Sequence, residues 1–267
     1  MKKRILILSF AAITMSIVVA KTYNSKKVVV ISKEIAVADT VAESNVKTKS
    51  KVFTDFIYDI GPRFTPITKS DLRALNTFSD YIGEEHASRI ISFHSLQVML
   101  MVENEPSDER ITGTGNQFTN DQLNFLYRLD YSTNLMMWAD YKEKNPETGQ
   151  IEDAHWTPYL TIVPEKQATY PHGIQALKDF LKENSQETRD IANVEPNKLQ
   201  PAKLFFTVTK HGTIENIRLD RTSNYPTVDK KMIELIQMAP GQWQPAENEL
   251  GEKVDQELVV SFGLIGC

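Results

Sequence analysis

The chain has 267 residues, 41% of them hydrophobic and 24% charged, with a net charge of −5. That composition is enough for an ordinary folded core, and the acidic balance without a basic stripe excludes nucleic acid as the expected partner. One cysteine, Cys267, excludes an internal disulfide, so the fold must hold by packing alone.

Residues 1–20 read as an export signal. Lys2-Lys3-Arg4 is a basic start, the stretch from Ile5 to Ala20 is apolar apart from Ser9, Thr14 and Ser16, and Val18-Val19-Ala20 offers a cleavage site. As a helix at 1.5 Å per residue this stretch falls short of a hydrocarbon core roughly 30 Å thick, which favours cleavage. An uncleaved N-terminal anchor is the alternative. Residues 21–52, rich in Lys, Ser, Thr and Val, read as a flexible tether.

Residues 53–165 read as a β-rich domain of unassigned role. The run from Phe53 to Tyr58 is strand-like, and Gly61-Pro62-Arg63-Phe64-Thr65-Pro66 is a turn-rich break. Ser70 or Asp71 is expected to cap one helix through Ile82, with Leu72, Leu75, Phe78 and Ile82 at helical spacing. The segment from Ile90 to Val102 is a long β-type run. Thr119, with Gln122 three residues on, predicts a capping box opening a short helix that carries Leu123, Leu126 and Leu129. The segment from Thr133 to Lys142 predicts a strand, residues 145–149 a turn, and the segment from Gln150 to Val163 the returning strand. The short helix followed by a hairpin ending in Tyr159-Leu160-Thr161-Ile162-Val163-Pro164 resembles the β-sandwich modules of gliding-motility and type IX secretion proteins of the Bacteroidota.

Pro164 to Pro171 is read as a hinge, and residues 170–267 as a C-terminal domain. Tyr170-Pro171-His172-Gly173 opens a helix with Ile174, Leu177, Phe180 and Leu181 on one face. Two strands between Leu204 and Leu219 are joined at Lys210-His211-Gly212-Thr213, where Gly212 supplies the positive φ of a tight hairpin. Pro226 and Thr227 precede a second helix in which Met232, Leu235, Ile236 and Ala239 form the apolar stripe. Asp229 suits its N-terminal end, and Pro240 stops it. Gly241-Gln242-Trp243-Gln244-Pro245-Ala246 leads to a closing strand from Lys253 to Phe262, with Val254, Leu258, Val260 and Phe262 facing in.

That order, with Gly173, Gly212 and the Trp243-x-Pro245-Ala246 turn at family spacing, resembles the C-terminal domain of the TonB family, of the Bacteroidota type, over residues 170–264. The chain departs from the family between Asn184 and Gln200, which is polar, and at Pro201-Ala202-Lys203, where the family places a glycine before the first strand. The resemblance implies an α+β fold in which a β-rich domain precedes two helices on a three-stranded antiparallel sheet. It implies a protein-binding module of the periplasm or envelope of a Gram-negative bacterium, connected with TonB-type energy transduction or transport across the outer membrane. The implied partner is a peptide segment of an envelope protein or outer-membrane receptor. That segment would add as a strand along Val254, Asp255, Gln256, Glu257, Leu258, Val259 and Val260. With the N-terminus uncleaved, an inner-membrane complex is implied; with it cleaved, a periplasmic adaptor without energy transduction.

No catalytic, metal or cofactor site is expected. His86, His94, His155, His172 and His211 lack ligand spacing, Glu84-Glu85 points to two sides of a helix end, and Gly113-Thr114-Gly115 lacks the lysine of a phosphate loop. The alternative from another class is a periplasmic enzyme acting through the middle domain.

Overall fold

The computed structural model describes residues 56–264. The export-signal and tether readings and Cys267 lie outside the described residues. Among the described residues no helix is long and apolar enough to cross a membrane.

Two sheets, each with its own helices, organise the mixed α+β fold. The first comprises β2 (Thr65–Thr68), β3 (Ile90–Val102), β4 (Glu105–Gly113), β5 (Asn134–Lys144), β6 (Ile151–Trp156) and β7 (Tyr159–Val163) in the order β2-β7-β5-β3-β4, with β6 beside β5. Leu96, Val98, Leu135, Met137 and Ala139 share one face and are buried beneath Leu72, Phe78, Phe125 and Leu126 of the helices α1 (Lys69–Ala74), α2 (Phe78–Ile82) and α4 (Asn120–Tyr127). Helices, not a second sheet, cover this face, so the sandwich expected from the middle-domain resemblance is not the arrangement found.

The capping box at Thr119 and Gln122 forms as the spacing predicts. Gln122 does more than cap: its Nε2 donates to the carbonyls of Leu96 at 2.7 Å and Ile111 at 3.2 Å, fastening α4 to two strands. The single helix expected up to Ile82 is instead two. Thr68 caps the first, and Thr77 starts the second through a capping box with Asp80. Leu72, the C-cap Leu75 and Phe78 all stay in the core, so the apolar spacing survives the break. Thr65 and Pro66, expected in a turn-rich break, instead begin β2, which pairs parallel with β7. The returning strand splits at Thr157-Pro158: β6 pairs with the outer part of β5, and β7 with its start. β4, which the sequence leaves unassigned, is a polar edge strand joined to β3 through Glu103 and Asn104, both at positive φ (48° and 75°). The short helix α3 (Glu84–Ala87) completes this part of the chain.

The second sheet has four strands in the order β1-β12-β8-β9: β1 (Ile57–Gly61), β12 (Gln256–Gly263), β8 (Ala202–Val208) and β9 (Ile214–Arg221). All are antiparallel to their neighbours. Helices α5 (Ile174–Ile191) and α6 (Pro226–Met238) cover one face, burying Leu177, Leu181, Met232 and Ile236 against Leu204, Phe206, Val260 and Phe262. The sequence predicts three strands here. The fourth, β1, comes from the start of the stretch assigned to the middle domain, and it puts Phe56 and Tyr58 into the C-terminal core.

Asp229 is not a solvated dipole partner but a buried one, 4% exposed; it accepts from the Thr222 hydroxyl at 2.5 Å and the Ser223 backbone N–H at 3.0 Å, fixing the turn before α6. The closing strand is interrupted at Asp255: Val254 lies in the short hairpin of β10 (Ala246–Glu247) and β11 (Lys253–Val254), paired with Ala246, and it is not among the core residues.

Candidate functional site

The residues expected to form a partner-binding edge divide into three groups. Val254 is committed to the β10–β11 hairpin. Asp255 turns back to accept from the Lys210 backbone N–H at 2.6 Å, closing the β8–β9 turn. Gln256 is 1% exposed; its side chain accepts from the Ala168 backbone N–H at 2.8 Å and donates to Gln167 at 3.1 Å, holding the segment before α5.

Glu257, Leu258, Val259 and Val260 lie on β12, and β12 is an interior strand. On one side Glu257 to Val260 face Thr207 to Leu204 of β8. On the other side, where a partner strand is expected, Val259 and Val260 face Gly61 and Ile60 of β1. The Glu257 backbone N–H, which lies beyond the end of β1, donates to the Ser132 hydroxyl at 2.9 Å. Alternate residues of a strand direct their N–H groups to the same side, so Glu257 and Val259 share the β1 side, and both outward positions are filled from within the chain. An added strand would have to displace β1.

β1 is held by more than its ladder. The Tyr58 hydroxyl lies 2.9 Å from Ser185 Oγ on α5, Phe56 stacks on Phe262 at 6.2 Å, and the Arg189 guanidinium sits 4.9 Å above the Phe56 ring. Lys178 reaches Asp59 at 3.6 Å. Burying the Phe56 and Tyr58 rings stabilises the arrangement by roughly 1.5–3 kcal/mol each. The strand-like run from Phe53 to Tyr58 was the sequence signal for this strand, but it did not name the sheet.

Immediately after β1, Arg63 enters the opposite face of the same sheet. Its guanidinium lies 5.2 Å from the Phe64 ring and 5.1 Å from that of Phe205, and Arg218 covers Phe205 at 4.2 Å. Burial pushes the Arg63 guanidinium below its ordinary value; Asp220, 3.9 Å away, and Glu257 oppose that shift. Asp220 therefore has a structural partner. Arg218 in turn pairs with Glu257 at 2.5 Å. This cluster ties β9, β12 and the β1–β2 connection together.

The four motif residues fall at structural positions. Gly173 caps α5 at φ 86°. Gly212 has φ 79°, and a Cβ there would collide with the Trp243 carbonyl. Trp243 is 2% exposed and packs on Tyr170 (5.3 Å) and Phe206 (5.6 Å). Pro245 is half-buried and leads into β10. The turn thus pins the β8–β9 hairpin tip to the start of α5.

A histidine cluster lies at the far end of the first sheet. His86 Nε2 is 2.8 Å from the Tyr141 hydroxyl and 3.3 Å from Glu143, and its ring meets Trp156 edge-on at 5.0 Å. Burial, reinforced by Glu143 and opposed by Arg89, pushes the Tyr141 phenol up to about 12. Among the described residues no three His, Cys, Asp or Glu side chains group as a metal site.

Compared with known families, curated proteins and solved structures, the chain matches no family model, no curated protein and no solved structure.

Proposed function

We propose that this chain is an exported cell-envelope protein that acts by binding another protein, with a C-terminal unit of the TonB kind. The observation that carries this reading is topological. The elements α5, β8, β9, α6 and β12 follow in that order, β12 lies beside β8, and the Trp243-x-Pro245-Ala246 turn closes on the β8–β9 hairpin. That order supports the reading of two helices on three antiparallel strands, to which β1 adds a fourth.

Two versions of the function differ in how β12 is used. An energy transducer, anchored by residues 5–20, would offer β12 to a receptor segment. A cleaved periplasmic adaptor would use the unit as a rigid platform. The filled edge favours the adaptor, because β1 already supplies the strand that a receptor segment would supply. In that reading Phe56 and Tyr58 make the sheet self-sufficient, and partner binding falls to surfaces other than the β12 edge.

The test is the intact mass and fractionation of the native protein, combined with cross-linking in the intact envelope. The adaptor reading expects a chain that begins at Lys21, in the soluble periplasm, cross-linked to a specific envelope protein. A full-length chain in the inner membrane would overturn the adaptor version in favour of transduction. A cytoplasmic, uncross-linked chain would overturn both.

A further inference from the structure

The first sheet has a face that its helices do not cover, and the strand register sets out what stands on it. In one row Arg110 of β4 lies opposite Met99 of β3, which lies opposite Met136 of β5. In the next, Gln97 is opposite Trp138. In the third, Ser95 is opposite Asp140, which is opposite His155 of β6. Since alternate residues share a face, these three rows line one continuous surface, and a cavity of about 400 Å³ opens over it. That volume lies within the range of small-molecule sites, about 300–1,000 Å³.

The middle of this surface is pre-organised. Trp138 Nε1 donates to one oxygen of Asp140 at 2.8 Å, and the Ser95 hydroxyl donates to the other at 2.7 Å. The His155 ring lies parallel to the Trp138 indole, 5.2 Å away at 9°. These contacts fix the indole plane and the carboxylate while leaving lone pairs on both carboxylate oxygens. Met99 and Met136, each 3% exposed, give an apolar floor. The Gln97 amide and the Arg110 guanidinium have no side-chain partner among the described residues.

We infer that this face binds a short neutral oligosaccharide. A sugar ring presents an apolar C–H face and a rim of hydroxyls that both donate and accept. The fixed indole and thioether floor match the first. A carboxylate on one side of the indole and a guanidinium on the other, with an amide between, match the second. A purely cationic ligand would suit Asp140 but meet Arg110, and a purely anionic one would suit Arg110 but meet Asp140. The rows of Arg110 and Asp140 are four residues apart along the strands, about 13 Å at ~3.3 Å per residue, a span longer than one sugar ring. This inference does not depend on the TonB-type reading.

The experiment is a titration of the full-length, ¹⁵N-labelled chain with chitotetraose, maltotetraose and xylotetraose, following the indole N–H resonances. The expected result is a saturable shift of the Trp138 indole with at least one of them, while that of buried Trp243 stays in place. Trp138→Ala should weaken binding about tenfold or more. Asp140→Asn, which keeps size and shape, and Arg110→Ala, at an exposed position, should each weaken it with the remaining spectrum preserved. No movement of the Trp138 resonance up to the solubility limit of all three sugars would overturn the proposal. So would binding left unchanged by Asp140→Asn and Arg110→Ala.

Discussion

The Trp243 backbone N–H donates to the Gly212 carbonyl at 3.2 Å, while the Trp243 carbonyl fills the space that a side chain on Gly212 would need. The hairpin tip and the tryptophan turn are therefore one joint, made by two segments that only the fold brings together.

Gly212→Ala should be costly for two reasons, positive φ and collision with backbone that cannot swing away. A loss of about 2–3 kcal/mol is expected, read as a lower urea midpoint with an unchanged slope. Gly115→Ala, with open space around its Cβ, is the control and should shift the midpoint little.

Phe56→Ala should cost about 3–5 kcal/mol, as expected for a buried aromatic ring. Tyr58→Phe removes only the hydroxyl that meets Ser185 and should cost about 1 kcal/mol. Denaturant unfolding separates the two. A Phe56→Ala protein as stable as wild type would mean that β1 does not belong to the C-terminal sheet in solution.

Proline on β12 tests the filled edge directly. Val259→Pro removes an N–H directed at β1, and Leu258→Pro removes one directed at β8. Each should cost about 2–3 kcal/mol by leaving a buried carbonyl without its donor. If β12 were an open edge, Val259→Pro would be tolerated with its melting temperature nearly intact. That outcome would restore strand addition as the binding mode.

Two tyrosines predict the behaviour in base. Burial pushes Tyr141 and Tyr131 up to about 12 from an ordinary 10.0, with Glu143 and Glu165 adding to the respective shifts. Below about pH 10 both the folded and unfolded chains keep these phenols protonated, and their contribution to stability is fully present. From about 10 to 12 the unfolded chain releases protons that the folded chain retains, so stability falls as pH rises. Tyrosinate absorbance should show Tyr141 and Tyr131 among the late-titrating members of the nine tyrosines, with burial raising Tyr81 and Tyr170 as well. Tyr141→Phe should remove one late titration and reduce the alkaline loss of stability.

What could be read from sequence was mostly local. The Thr119–Gln122 box is a side-chain-to-backbone device at fixed spacing, and it forms as expected. The Leu204–Phe206–Val208 alternation identifies a core strand because period two needs no knowledge of its neighbours. Thr77 with Asp80 is an equally local capping pair, but the continuous spacing of Leu72, Leu75 and Phe78 concealed it. β4 was not legible, since Glu105 to Arg110 is polar and an edge strand earns its place by pairing alone. The β12 edge was misjudged for a related reason. Phe56-Ile57-Tyr58 fits any sheet with an apolar face, and nothing nearby in the chain says that its partner is the last strand. The uncovered face of the first sheet was likewise scattered through the sequence, with Gln97, Trp138 and His155 on three strands.

The pairing of Ile57 with Gly263 joins opposite ends of the described chain. Such a contact closes a very long loop, which makes it slow to form and late in folding. A chain emerging in order would hold Phe56 and Tyr58 without a sheet to join until its last strand appeared. The two sheets are thereby stitched into one cooperative unit. Cutting the chain between Val163 and Ile174 would leave β1 on the wrong fragment, so each half should fold poorly alone and recover when the two are mixed.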